Sequence, residues 1–184
     1  AGIVLDTMPE TKEILDFLMR YDEFHLYPSH DKHTGGEILH KIYNDVDRNG
    51  GTKEGNSPNY QNLWYNTMAH IANILNGYDG YAAADLFQNV KLNQMLKNQM
   101  NYIMMRRTSL AVGDSGVMAG LATILPSPAH LMNAYYATND PVFAQMLYYQ
   151  NGNSTTGLKR GLYDKDPEKI ASDVENVIDE YGEY

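Results

Sequence analysis

Apolar side chains return every three or four residues in one segment after another of this chain, a rhythm that lets a helix bury one face and that a strand cannot use. In "PETKEILDFLMRY", Ile14, Phe17, Leu18 and Tyr21 form one stripe, with Pro9 at a first-turn position. Leu39, Ile42, Tyr43 and Val46 do the same in "GEILHKIYNDV". The longest segment, "SPNYQNLWYNTMAHIANILNGY", carries Tyr60, Trp64, Thr67, Met68, Ile71, Ile74 and Leu75. It opens on Ser57 as N-cap before Pro58 and stops at Gly77. A fourth helix is expected over "VKLNQMLKNQMNYIMMRR", residues 90–107, whose cationic end suits a helix C-terminus. Ser127-Pro128 and Asp140-Pro141 each start a further helix, close enough together for an αα-hairpin. In "DPEKIASDVENVIDEY", Asp166 caps, Pro167 starts, and Ile170, Val174, Val177, Ile178 and Tyr181 share a stripe. No stretch reads as a strand.

Helices of this length paired by short connections predict an all-α chain of antiparallel hairpins. Polar connections at 22–36, 49–57, 106–126 and 151–165 interrupt it, and in a stack of hairpins such loops gather at helix ends, where ligands bind. No repeat of fixed period is visible. The 184 residues suffice for one domain with one core. A net charge of −9, with no basic run longer than Arg106-Arg107, argues against a nucleic-acid partner. The absence of cysteine excludes disulfides, thiolate catalysis and Cys-ligated zinc. No apolar run approaches the roughly 20 residues of a membrane span, and "AGIVLDTMPETKE" lacks the basic and apolar regions of a signal peptide. The 15 tyrosines, beside many asparagines and the single Trp64, supply flat faces with hydrogen-bonding tips. Such residues suit a carbohydrate cleft, though for any single tyrosine ordinary half-buried packing is the plainer reading.

Three motifs carry candidate chemistry. "DVDRNGGTKEGN", residues 45–56, places Asp45, Asp47, Asn49 and Gly50 at the first, third, fifth and sixth positions of a calcium loop. Its later positions depart: Thr52 stands where an apolar residue normally pins the loop, Lys53 is ninth, and Asn56 replaces the bidentate glutamate. Calcium held without that carboxylate is held weakly, and the plain alternative is a helix end with a glycine turn. "GDSG", residues 113–116, matches the nucleophile segment of trypsin-like proteases, but those are disulfide-bearing β-barrels. In a helical chain without cysteine it reads as a Gly-flanked turn in which Asp114 bonds local backbone. His30, His33 and His40 lie near Asp31 and Glu37, but Gly35 and Gly36 interrupt the helix that a His33/Glu37 metal pair needs. Solvated surface histidines are the plainer reading.

Taken together, "NGGTKEGNSPNYQNLWYN" in a loop-then-helix context and "VGDSG" about 50 residues on resemble the heparinase II/III-like polysaccharide lyases, over roughly residues 36–120. That resemblance implies an α/α toroid of helical hairpins accompanied by a β-sandwich domain, with this chain supplying part of the toroid. It implies a bacterial, periplasmic or extracellular protein, an acidic polysaccharide as partner, and β-elimination on a uronic-acid-containing glycan. It also implies roles. Asn56 neutralises the substrate carboxylate, against a plain alternative of turn or helix cap. Glu54 orients the loop or sugar hydroxyls, against an ion pair. Tyr60 and Trp64, one helical turn apart, form a sugar platform, against core packing. Arg106 and Arg107 grip a uronate, against helix C-capping. Asp114 belongs to the second loop. The family's catalytic tyrosine is expected near that loop, but "RRTSLAVGDSGVMAG" contains none. The catalytic candidates are therefore Asn56, Tyr60, Tyr102 in the preceding helix, and His70. Two rival readings accompany this one: a non-catalytic helical carbohydrate-binding protein, and an α/α-toroid glycoside hydrolase using Glu54 and Asp114 as its two carboxylates.

Overall fold

Helix α2, Pro58–Leu75, starts where its sequence tells it to: Ser57 is extended at φ −78 and ψ 116, and Pro58 occupies the first turn, where its missing N–H is no loss. It stops before Gly77, whose φ of +79 suits glycine alone. Our computed structural model describes residues 37–53, 57–77, 85–104, 106, 108–109 and 126–184. The chain it describes is all-α: α1 (Glu37–Asp45), α2, α3 (Val90–Asn98), α4 (Pro128–Thr138), α5 (Pro141–Gln150) and α6 (Lys169–Tyr181). Short 3-10 turns cover Leu86–Gln88 and Gln99–Tyr102. The helix expected over 9–21 lies outside the described residues.

The buried face of α2 is Pro58, Gln61, Tyr65, Met68, Ala69, Ala72 and Leu75. This differs from the stripe that periodicity selects, because α2 carries two apolar rows side by side and only one can face the core. Trp64 and Ile71 end half-buried at the core's rim, while Thr67 is exposed and Ile74 is 46% exposed. Ala69 and Ala72 on the inner row give α2 a slender face where it meets α3 and α4. Leu39 and Ile42 of α1, and Val46 just beyond its end, are buried as expected, but Tyr43 lies 44% exposed.

The helix expected over 90–107 ends at Asn98. Asn89 caps its start, accepting from the Leu92 N–H at 3.1 Å. Beyond Asn98, side chains compete for the local hydrogen bonds: Asn101 Nδ2 donates to Asn98 Oδ1 at 2.8 Å, and Asn98 Nδ2 to the Tyr102 hydroxyl at 3.4 Å. The chain tightens into the 3-10 turn and then extends. Ile103–Met104 (β1) pairs antiparallel with Thr108–Ser109 (β2), a two-residue ladder that the sequence did not announce.

The expected αα-hairpin is present. Asn139 takes a left-handed conformation at φ 55, and Asp140 Oδ1 accepts from the Val142 N–H at 3.0 Å to start α5. Asp140 also pairs with Lys97 of α3, tying the hairpin to the middle of the chain. α5 packs between α4 and α6. Helix α6 begins at Lys169 rather than Pro167, because the Pro167 carbonyl already accepts from the Arg160 N–H at 2.9 Å. Ile170, Val174 and Val177 of α6 are buried, whereas Tyr181 is exposed.

Candidate functional site

The calcium-like stretch is built as a joint between helices. Val46 and Thr52 form an antiparallel bridge, and Asp47 Oδ1 accepts from the N–H groups of Asn49 at 2.7 Å and Gly51 at 2.9 Å. Gln61, fully buried on α2, clamps the peptide of Thr52 from both sides: it accepts from the Thr52 N–H at 3.0 Å and donates to the Thr52 carbonyl at 3.3 Å. Lys91 of α3 reaches across to donate to the Val46 carbonyl at 2.6 Å and to that of Tyr43. The Asp45 carboxylate pairs with Lys53 at 2.7 Å and Lys41 at 3.3 Å. Burial alone would raise its pKa, but hydrogen bonds from these two lysines outweigh burial and hold it below the usual carboxylate range. The adjoining cleft, about 390 Å3, is thus bordered by Lys53 and Lys91 as well as by Asp45 and Asp47. A calcium ion needs several free oxygens, and here the oxygens of Asp45 face lysines while one oxygen of Asp47 caps a turn. Among the described residues no three His, Asp or Glu side chains gather at metal-binding distance.

The outer side of α2 is different in character. Tyr60 is 36% exposed and Leu63 61% exposed, and Trp64 lies half-buried between them and the core. Lys41, Leu63, Trp64, Thr67 and Met68 border a groove of about 270 Å3. Tyr60 and Trp64 are one turn apart on α2, Tyr60 outside the groove lining and Trp64 packed in part against the core. His70 is also exposed on α2, but ten residues from Tyr60, roughly 15 Å along the axis. It neighbours His130 of α4, whose pKa is lowered by burial first and by His70 second. His130 in turn meets the edge of Tyr65, with ring centroids 5.7 Å apart. Burial pushes the Tyr65 phenol well up.

Tyr102 is half-buried in the 3-10 turn, not in a helix, and its hydroxyl accepts from Asn98. Arg106 does not cap a helix either. It sits in the turn between β1 and β2 at φ 63, with its guanidinium 4.6 Å from the centroid of the Tyr149 ring. Glu54, Asn56, Arg107 and Asp114 lie outside the described residues, as do His30, His33 and the whole of 113–116. One cavity was missed by sequence reasoning. About 650 Å3 in volume, it lies between the first turn of α4 and the turn 159–164 and includes Asn73, Asn133, Lys159, Arg160, Tyr163 and Asp164. The available signal was "LKRGLYDKD", a mixture of cations, acids and tyrosine inside the polar connection 151–165. Comparisons with protein-family models, with curated proteins and with solved structures find no match to this chain.

Proposed function

We propose that this chain is part of an α/α toroid that grips a uronic-acid-containing polysaccharide and cleaves it by β-elimination. The observation that carries this reading is that Tyr60, 36% exposed, and Trp64, half-buried at the rim of the core, stand one turn apart in the first two turns of α2. A glycan lying along α2 would have a ring over Trp64 and its carboxylate toward the N-terminal end of the helix, where the helix dipole favours an anion. In the elimination, a base removes the C5 proton, the C5–H electron pair forms the C4–C5 double bond, and the C4–O4 bond breaks as O4 takes up a proton. The C5 proton is only weakly acidic, so the carboxylate beside it must be neutralised while charge builds on it, the role assigned to the Asn56 amide. Tyr60 suits the base better than His70, because His70 stands roughly 15 Å away along α2. Incubating the protein with glycosaminoglycans, alginate and ulvan-like polymers and following the ultraviolet absorbance of unsaturated uronate tests this. We expect a rising signal with one of them, abolished by Asn56→Ala; no signal with any would sink the enzymatic reading.

A second reading, glycan binding without cleavage, draws on a specific observation. Tyr60 and His70 do not converge: ten residues apart on α2, they are separated by roughly 15 Å along its axis. An acidic polymer that binds and stays uncut would favour it.

A further inference from the structure

Several side chains of the cavity beside α4 hold one another in place. Arg160 is fixed on three sides: its guanidinium lies 4.4 Å from the Tyr136 ring centroid, its Nη1 is 2.7 Å from Asp164 Oδ2, and its Nη2 donates to Asn133 Oδ1 at 3.5 Å. Tyr136 is itself anchored, donating to Asp173 Oδ2 at 2.6 Å. Besides the Lys159 ammonium and the Tyr163 phenol, the polar lining consists of planar groups: one guanidinium, one carboxylate and the amides of Asn73 and Asn133. Planar groups that donate and accept in pairs match neighbouring hydroxyls, each of which offers both a donor and an acceptor. Tyr163 stands fully exposed at the edge, an uncommitted flat face. Lys159 is the loosely held charge: it pairs at 2.8 Å with Glu168 while the two side chains are 61% and 71% exposed. So open a pair is weak and exchanges readily for another anion. More than one acidic group on the ligand is disfavoured by the Asp164 carboxylate inside the cavity itself.

We propose that this cavity is a sugar-binding site that takes a monosaccharide unit bearing a single acidic group. Arg160, Asp164, Asn133 and Asn73 bond the hydroxyls, Tyr163 covers the apolar face of the ring, and Lys159 leaves Glu168 for the acidic group. The site goes beyond the reading above, since it needs neither Asn56 nor elimination and its Asn73 is roughly 13 Å along α2 from Trp64.

The test is a titration of the full chain with D-glucuronate and with D-glucose, followed by amide nitrogen–proton spectra. Side-chain signals of Asn73 and Asn133 and backbone signals of 159–164 should move, with glucuronate binding more tightly. Tyr163→Ala should weaken both sugars about two- to tenfold, as loss of an aromatic contact does. Lys159→Gln should remove the preference for glucuronate and leave glucose unchanged. Both side chains are exposed, so neither variant threatens the fold. Movement confined to residues 60–68 would overturn the inference while leaving the proposed function standing. Equal binding of the two sugars by the unaltered protein would overturn the assignment of an acidic ligand, and no movement anywhere would overturn the site itself.

Discussion

A Cβ placed on residue 50 would lie 2.3 Å from the Gln94 carbonyl oxygen, on a backbone at φ +85. Gly50→Ala therefore meets left-handed backbone strain of about 1–2 kcal/mol and a main-chain clash that α3 relieves only by moving. We expect a loss of at least about 2 kcal/mol in urea unfolding. An unchanged midpoint would mean that the 46–52 joint does not press against α3. His130 gives a second prediction at this scale. Its depressed pKa means the unfolded chain takes up a proton first, so its contribution to stability is complete above the ordinary value of 6.5 and is lost as pH falls from there toward the folded value. His70→Gln removes the smaller cause and leaves burial. The His130 titration, followed by NMR, should then move upward yet stay below 6.5; a titration that does not move would refute the coupling.

Helix α2 separates what a sequence can say about an element from what it cannot. Its ends were readable because Ser57-Pro58 and Gly77 act locally, through backbone angles fixed by the residues themselves. Its orientation was not, because two apolar rows compete and the choice depends on partners distant in the chain. Gln61 is the clearest instance: burial of a polar side chain makes sense only once the Thr52 peptide is there to receive both ends of the amide. The early end of α3 has the same cause, since asparagines at 98 and 101 bond each other where periodicity expects only continued helix. For the candidate site, the Tyr60/Trp64 pair was legible from its one-turn spacing, whereas the 159–164 cavity was not, because its walls come from α2, α4 and a loop with no period at all. A prediction follows for α1. Lys91 supplies charge-assisted bonds to its last carbonyls, so Lys91→Met should cost about 1.5–3 kcal/mol and speed amide exchange in α1. Exchange rates unchanged in α1 would contradict that role.

Over the whole molecule, two half-buried carboxylates couple distant parts of the fold to pH. For Asp45 and Asp173 burial would raise the pKa, but hydrogen bonds from Lys53 and Lys41, and from Lys169 and Tyr136, hold both below the ordinary 3.8. Such groups contribute stability that is present above 3.8 and lost as pH falls through their lower folded values. Together with His130, this predicts a shallow decline in melting temperature beginning near pH 6.5 and a steeper one below pH 3.8. A protein that grows more stable on acidification across this range would contradict it. No helix among the described residues is long and apolar enough to cross a membrane. The central claim, that the outer face of α2 grips an acidic polysaccharide, is tested most directly by titrating the protein with an intact uronic-acid-containing polymer and repeating the titration with Trp64→Ala. Loss of one aromatic platform should weaken binding by about 1–2 kcal/mol, roughly five- to thirtyfold. Binding that is undiminished in Trp64→Ala, or absent in the unaltered protein, would contradict the account.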